Sequence, residues 1–84
     1  MPRTPDPIDV HVGARIRTAR YAMNAKQDQL GEAIGVSFQM VQRYERGFNR
    51  ISASAIYRAC HFLEVTPGWL FDGMDDAAPI AEGA

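Results

Sequence analysis

Apolar residues recur every three or four positions through most of the chain, which is the spacing of one face of an α-helix. The first apolar stripe consists of Val12, Ile16, Ala19 and Met23. Asp9 precedes this stripe, and a carboxylate at such a place accepts hydrogen bonds from the free N–H groups of the first helical turn. The pattern therefore predicts a first helix that is capped by Asp9.

Two short helices are predicted next, because residues that favour helix ends surround them. The second helix is expected from Gln27 to Ile34, since Gly35 adopts with little strain the left-handed conformation that ends a helix. Ser37 is a good N-cap for a third helix over about residues 38–46, and Gly47 marks its end. A tight turn thus joins the two helices.

The last two helices also begin at capping residues. Ser52 precedes a further apolar stripe that includes Ile56 and Leu63. Thr66 is followed by Pro67, and proline suits the first position of a helix because its missing N–H would have no partner there. No segment shows the alternating pattern of a strand, so the sequence predicts an all-α fold of five helices.

The two ends of the chain differ in composition from the middle. Residues 1–8 contain three prolines and are expected to form a flexible N-terminal arm. Residues 74–84 are acidic and rich in small residues, and we expect a disordered tail there. One domain is therefore predicted over residues 9–73.

Charge is unevenly distributed along the 84 residues. The net charge is −1, but residues 1–50 hold eight Lys or Arg against five acids, whereas residues 51–84 hold one Arg against five acids. This asymmetry is compatible with one basic and one acidic face, although so few charges also produce such a division by chance. The charge alone therefore leaves a nucleic-acid partner open.

The sequence lacks the motifs of several protein classes. No apolar run approaches the ~20 residues of a membrane span, and no secretory signal opens the chain, so we expect a cytoplasmic protein. No metal-ligand spacing, phosphate-cradling loop or nucleophile arrangement is present, which predicts neither an enzyme nor a metal or other cofactor. The single cysteine, Cys60, lies on the apolar stripe of the fourth helix and is expected to be a buried thiol.

The second and third helices meet the packing requirements of a helix-turn-helix. Two helices that cross closely need a small residue at the crossing, which Gly31 provides, and a turn with positive φ, which Gly35 provides. Val41 and Tyr44 lie on the inward side of the third helix. The opposite side is polar, as is required of a helix that enters the major groove of DNA.

A resemblance to a known family rests on the combination of these features. The stretch KQDQLGEAIGVSFQMVQRYERG, with VGARIRTAR before it and RISASAIYRACHFLEVTPGWLF after it, is similar to the phage-repressor and Cro type of helix-turn-helix domain, often called XRE-like. The resemblance covers about residues 9–73. It implies a compact five-helix, lambda-repressor-like fold that binds double-stranded DNA.

The resemblance also implies a base-reading surface on the third helix. Phe38, Gln39 and Arg43 match positions that face base edges, where glutamine pairs with adenine and arginine with guanine. Gln42 joins this set because of its place on the outward side, where the alternative is a helix residue that is simply exposed. Phe38 lacks a hydrogen-bonding group, which leaves two interpretations: contact with a thymine methyl, or cover for the start of the helix.

Phosphate contacts and one internal ion pair complete the implied site. In the family, the start of the second helix and the residues after the third helix hold phosphate. The predicted phosphate-binding residues are Lys26, Gln27, Ser37, Arg46, Asn49 and Arg50. Arg20 and Glu45 match a pair that forms an internal ion pair in relatives, which is a structural role.

Two positions depart from the family pattern. Lys26 stands where a Ser or Thr cap is usual, which removes a cap typically worth ~1 kcal/mol. Gly31 replaces the commoner alanine and lowers helix propensity by ~1 kcal/mol. We therefore expect the second helix to be only marginally stable by itself.

Two functions are predicted for such a domain. The first is a sequence-specific DNA-binding regulator of transcription, a repressor that binds a palindromic operator as a homodimer on the nucleoid. The alternative is a protein-interaction module, such as an antitoxin or a restriction–modification controller, whose partner binds the acidic C-terminal half. The two functions predict different results: the first predicts that the protein selects an enriched sequence from random duplex DNA, and the second predicts that a pull-down recovers a stoichiometric protein partner.

Overall fold

Five helices make up the part of the chain that the structure describes. The computed structural model describes residues 4–74 and contains no strand within them. The helices are α1 (Pro7–Ala22), α2 (Gln27–Ile34), α3 (Phe38–Glu45), α4 (Ala53–Leu63) and α5 (Pro67–Phe71). The all-α expectation with five helices is confirmed.

α1 begins earlier than the apolar pattern predicts. Asp6, not Asp9, is the N-cap, and its Oδ1 accepts the N–H of Ile8 at 2.8 Å. Pro7 takes the first helical position, where its fixed φ fits and no intrahelical N–H bond is lost. The expected arm of residues 1–8 is therefore corrected, because its last two residues belong to α1.

The two predicted flexible ends lie largely outside the described residues. Of the shortened arm, residues 1–3 are not described. Of the expected tail over residues 74–84, only Met74 is described. The predictions of a flexible arm and a disordered tail therefore stay predictions.

Side-chain caps begin three of the other helices where the sequence predicts them. The capping oxygens accept an N–H three residues ahead at 3.1–3.2 Å, and they belong to Ser37, Ser52 and Thr66. α2 has no such cap, because Lys26 stands at its N-cap position. Instead, the side chain of Gln29 turns back and accepts the Lys26 N–H at 2.7 Å. The predicted loss of a cap is thus observed, and α2 compensates for part of it from within.

α1 to α4 end in the same backbone motif. In each, a residue with positive φ follows the last turn, namely Asn24, Gly35, Gly47 and Glu64. The N–H of the next residue then donates to the carbonyl five positions earlier, at 2.9–3.0 Å. This hydrogen bond ties the chain back onto the last helical turn, so each connection leaves its helix in a fixed direction.

One apolar core receives side chains from all five helices. Its most deeply buried large residues are Leu30 of α2, Val41 of α3 and Leu70 of α5. Cys60 of α4 is also buried, and burial raises the pKa of its thiol, so the neutral form is favoured. The expected structural role of Cys60 agrees with this position.

Two glycines permit the close helix crossings that position α3. A Cβ on Gly13 would lie 2.1 Å from the carbonyl oxygen of Tyr44, and a Cβ on Gly31 would lie 2.6 Å from that of Val36. Both obstacles are backbone atoms, which cannot rotate away as a side chain does. Gly31 is therefore required by packing, because the commoner alanine does not fit this backbone, and Gly13 sets the distance between α1 and α3.

Arg15 and His11 fasten α1 to the last helix. Arg15 donates from Nε and Nη2 to the carbonyl oxygen of Trp69 at 3.0 and 2.8 Å, and its guanidinium lies 3.6 Å over the Trp69 ring. His11 Nε2 lies 2.7 Å from the carbonyl oxygen of Asp72. α1 therefore supports α5 with one part of its surface and α3 with another.

Candidate nucleic-acid interface

α3 has a buried face and an exposed face, as the helix-turn-helix pattern predicts. Val41 is fully buried, and Tyr44 packs against the core. On the other side, Gln39 and Arg43 are exposed. Because the buried face fixes the orientation of the helix, the exposed face is presented to solvent in one orientation.

A buried ion pair holds α3 to α1. Arg20 donates from Nε and Nη2 to the two carboxylate oxygens of Glu45 at 2.6 and 2.9 Å, and both side chains are buried. The hydrogen bonds with Glu45 raise the pKa of Arg20 above its ordinary value. The pair that the family resemblance implies is thus present as a bidentate contact, the strongest arrangement of a guanidinium and a carboxylate.

Gln27 of α2 joins this ion pair. Its Nε2 donates to Glu45 Oε1 at 3.1 Å, so all of the first three helices meet at one carboxylate. The second N–H of the Gln27 amide makes no hydrogen bond within residues 4–74. Gln27 is half-buried at the start of α2, where the predicted phosphate contact needs such a donor.

The four predicted base-reading residues lie on one strip of α3. Phe38 and Gln42 are four residues apart, as are Gln39 and Arg43, and residues with that spacing lie one above the other on a helix. Phe38 is 46% exposed, and Gln42 is half-buried. The fold therefore brings the four side chains together, while their contact with bases stays a prediction.

Besides Gln27, three more of the six predicted phosphate-binding residues already have partners within the domain. Ser37 Oγ caps α3. Asn49 Oδ1 accepts the Nε–H of Arg43 at 2.6 Å. Arg50 Nε pairs with Asp9 at 3.2 Å. Ser37 and Asn49 use only an acceptor oxygen in these bonds and keep a donor, whereas Arg50 is partly neutralised.

The remaining cations give this surface its positive charge. Lys26 and Arg46 are exposed, and their side chains make no hydrogen bond or ion pair with any part of the described chain. Arg43 is bonded to a neutral amide and keeps its charge uncompensated. By contrast, Arg20 and Arg50 face carboxylates. The excess of cations in the first fifty residues thus leaves unpaired charge at the start of α2 and along α3.

Two features of the site are missing from the sequence prediction. Gly13 sets the approach of α1 to α3, but its partner is the backbone of Tyr44, far along the chain. Phe48 is 52% exposed, and its ring centroid lies 5.7 Å from Cζ of Arg43. An exposed aromatic residue directly after the glycine that ends α3 is the signal by which Phe48 can be found.

Residues 4–74 contain neither a candidate membrane-spanning helix nor a candidate metal-binding cluster. No helix between residues 4 and 74 has the length and apolar character that crossing a membrane requires. Over the same range, no three His, Cys, Asp or Glu side chains are grouped so that they could hold a metal ion.

Known proteins place these observations in a family. The family model described as helix-turn-helix matches residues 16–70, which contain α2, α3 and α4 in full. The chain is 47% identical over 78 residues, 92% of its length, to the uncharacterized HTH-type transcriptional regulator y4aM of Sinorhizobium fredii, of which it covers 54%. The chain spans about half the length of several curated relatives that it matches.

Solved structures share the arrangement of the helices. The restriction-modification controller protein C.AhdI from Aeromonas hydrophila is 31% identical, with a TM-score of 0.69, over 74% of this chain and 94% of that protein. The P22 c2 repressor in complex with a synthetic operator is 27% identical, with a TM-score of 0.68 and the same two coverages. These likenesses confirm the predicted lambda-repressor-like fold and the resemblance to phage repressors. The chain belongs to the helix-turn-helix family.

Proposed function

We propose that this chain is a DNA-binding regulator of transcription that reads a specific double-stranded sequence with the exposed strip of α3. The observation that carries the proposal is a helix held rigidly from behind, by Val41 and Glu45, with polar side chains in front. A helix mounted in this way fits the major groove, where all four base pairs are distinguishable. The regulator names of the relatives and the operator complex of the P22 c2 repressor support it.

Each side chain of the strip suits a different base. The Gln39 amide matches the donor and acceptor of adenine, and the Arg43 guanidinium matches the two acceptors of guanine. Gln42 lies beside Gln39 and Arg43 and is half-buried, so its side chain extends less far toward the base edges of the major groove. Phe38 exposes nearly half of its surface at the first turn, so we assign it to a thymine methyl.

Phosphate contacts would come from the donors around this strip. Lys26 and Arg46 are exposed cations, and Gln27 has a second amide N–H available. Ser37 and Asn49 keep a donor while their oxygens remain bonded. Arg50 must share its charge with Asp9, and we expect the weakest phosphate contact from it. We therefore expect phosphate contacts of unequal strength from these six residues.

We further propose that the protein is a non-enzymatic repressor that acts in the cytoplasm as a homodimer on a palindromic operator. One domain of this size offers a single reading helix, and a dimer reads two half-sites about 34 Å apart, one turn of the DNA helix. Pairing two such domains multiplies their affinity without any new base contact.

Selection from random duplex DNA tests this function. We expect the full chain to enrich a sequence with two related half-sites. Gln39→Ala should then lose ~1–3 kcal/mol on the enriched sequence and relax the preference at one base pair, because a base contact is removed. Arg46→Ala is the matched comparison, and it should weaken enriched and random DNA alike and reduce the salt dependence.

Two outcomes contradict the proposal. If wild-type protein enriches no sequence, DNA reading is wrong. If Gln39→Ala weakens enriched and random DNA equally, the strip of α3 does not read bases. The relatives, which are named as transcriptional regulators, do not favour the alternative of a protein-interaction module, and the similarity to the controller protein C.AhdI does not by itself imply a protein partner. A stoichiometric protein partner recovered with a chain that enriches no DNA would restore that alternative.

A further inference from the structure

The hydrogen bond between Arg43 and Asn49 links the reading helix to the loop that follows it. Asn49 Oδ1 accepts the Nε–H of Arg43 at 2.6 Å. Arg43 is exposed, whereas Asn49 is half-buried and therefore less free to move. An exposed arginine normally samples many rotamers, so a fixed acceptor at its Nε removes much of that freedom.

The backbone explains why Asn49 lies next to Arg43. Gly47 follows α3 with a φ of 76°, and the N–H of Phe48 donates to the carbonyl oxygen of Arg43 at 2.9 Å. A Cβ on Gly47 would lie 2.7 Å from Cα of Val10, so this turn is also held against α1. The loop is therefore folded back onto the last turn of α3, and Asn49, the residue after Phe48, reaches the Arg43 side chain.

The choice of nitrogen decides what Arg43 can still bind. A guanidinium has five N–H donors in a fixed plane, and one of them points from Nε. With that donor used, the four N–H groups of Nη1 and Nη2 remain, and neither atom has a partner within residues 4–74. These two nitrogens form the end-on fork that matches O6 and N7 of guanine.

We propose that Asn49 is a positioning residue that holds Arg43 with its end-on fork toward the major groove and so specifies guanine at one position of the operator. The ring of Phe48, whose centroid lies 5.7 Å from Arg43 Cζ, limits the other orientations of the guanidinium. This inference rests on the proposed function, because it concerns how the same reading helix chooses a base. It differs from a phosphate contact, which would leave base preference unchanged.

The chemistry of Asn49 allows the two roles to be separated. Asn49→Ala removes both the acceptor for Arg43 and the amide donor for a phosphate. Asn49→Asp keeps the acceptor and removes the donor, while its negative charge repels DNA. Arg43→Lys keeps the positive charge but has no Nε–H to be held.

The first measurement uses the free protein, so that it does not depend on DNA. Nuclear magnetic resonance reports the exchange of the Arg43 Nε–H with water. We expect slow exchange in the wild type and in Asn49→Asp, and exchange at least about tenfold faster in Asn49→Ala, because the hydrogen bond is lost. Equal exchange in wild type and Asn49→Ala would overturn the positioning role, whatever the protein does with DNA.

The second measurement compares binding to the enriched duplex with binding to duplexes altered at each base pair. Asn49→Ala should lose about tenfold preference for guanine at one position, the position where Arg43→Lys also loses it. Asn49→Asp should bind all duplexes more weakly and keep that preference. In the Arg43→Lys background, Asn49→Ala should cause no further loss of preference.

The outcomes distinguish this inference from the proposed function. If Asn49→Ala weakens every duplex by the same factor, Asn49 is a phosphate contact only and the positioning role is wrong, while DNA reading stands. If the wild type enriches no duplex although Asn49 protects the Nε–H, the arrangement of the side chains is right and the assigned base specificity is wrong. Thermal unfolding of each variant shows that the compared chains are folded.

Discussion

The buried and exposed faces of α3 are fixed in different ways. The buried face is held by a backbone crossing at Gly13, by the ion pair of Glu45 and by the fully buried Val41. On the exposed face, Gln39 makes no side-chain hydrogen bond within the described residues, and Arg43 makes one. The orientation of α3 is therefore determined by the backbone and the interior, whereas under the proposed function the base preference would come from separate side chains.

This separation teaches how such a domain can change its target. Side chains on the exposed strip contribute little to the core, so their replacement should alter the sequence that is read while α3 keeps its orientation. Changes on the buried face should act in the opposite way, since they move or release the whole helix.

Gly13→Ala should have the largest effect, because the new methyl group would overlap the carbonyl oxygen of Tyr44 at 2.1 Å. Neither backbone can yield without separating α1 from α3, so we expect the free energy of unfolding to fall by at least ~4 kcal/mol in urea titrations. Gly68→Ala is the matched control, since its Cβ would meet only Thr66 Oγ1, at 3.9 Å. Similar stability of the two variants would show that the crossing at Gly13 is not tight.

Glu45→Gln should have the second largest effect. The amide can no longer accept both hydrogen bonds of the buried Arg20 guanidinium, whose charge is left without a counterion. Removal of one partner of a buried pair costs ~3–5 kcal/mol, and urea titration should show a loss of that order. Glu32→Gln, the same change at an exposed site of α2, should alter stability by less than ~0.5 kcal/mol. A small and equal loss in both would mean that the ion pair does not hold α3.

Asp9→Asn should have the smallest effect and should act on binding instead of stability. It removes the negative charge of the carboxylate closer to Arg50 and leaves Asp6, at 3.6 Å, as the remaining anionic partner among the described residues. We expect affinity for enriched and random DNA to rise alike, by about two- to fivefold at low salt, and the salt dependence to steepen, since one more cation meets phosphate. Glu32→Gln changes the net charge equally and is the control. A rise confined to the enriched sequence would contradict the assignment of Arg50 to phosphate.

Local signals account for most of the fold that the sequence predicts. Ser37, Ser52 and Thr66 cap their helices as expected, and Gly35 and Gly47 end theirs, because such residues act within a few positions along the chain. The missed start of α1 shows how the same rule can be overlooked. Asp6 and Pro7 repeat the pattern of a capping residue followed by proline, but they lie among other prolines, and that composition predicts an arm. At this end of the chain the start of α1 follows the local capping rule and not the composition of the segment.

Contacts between distant parts of the chain account for what the sequence does not predict. Gly13 meets Tyr44, and Arg15 meets Trp69, across connections whose geometry no local pattern contains. Arg15 lies off the apolar stripe of α1, so the sequence alone does not distinguish it from a solvated arginine, and its contact with α5 is seen only in the folded structure. The place of Asn49 directly after α3 predicts that it belongs to the site, but its hydrogen bond to Arg43 depends on how the loop folds back. Residue type therefore predicts the candidate site better than it predicts the partners within it.

Gln27 lies between the proposed DNA surface and the interior. Its amide donates one N–H to Glu45, whose carboxylate also holds Arg20 of α1. If the second N–H takes a phosphate, an unbroken chain of hydrogen bonds runs from the DNA backbone to the first helix. Any DNA that binds only the folded domain raises its melting temperature. The shared carboxylate adds a specific link, since loosening the Arg20–Glu45 ion pair would then lower the affinity for a phosphate that neither of these two side chains touches.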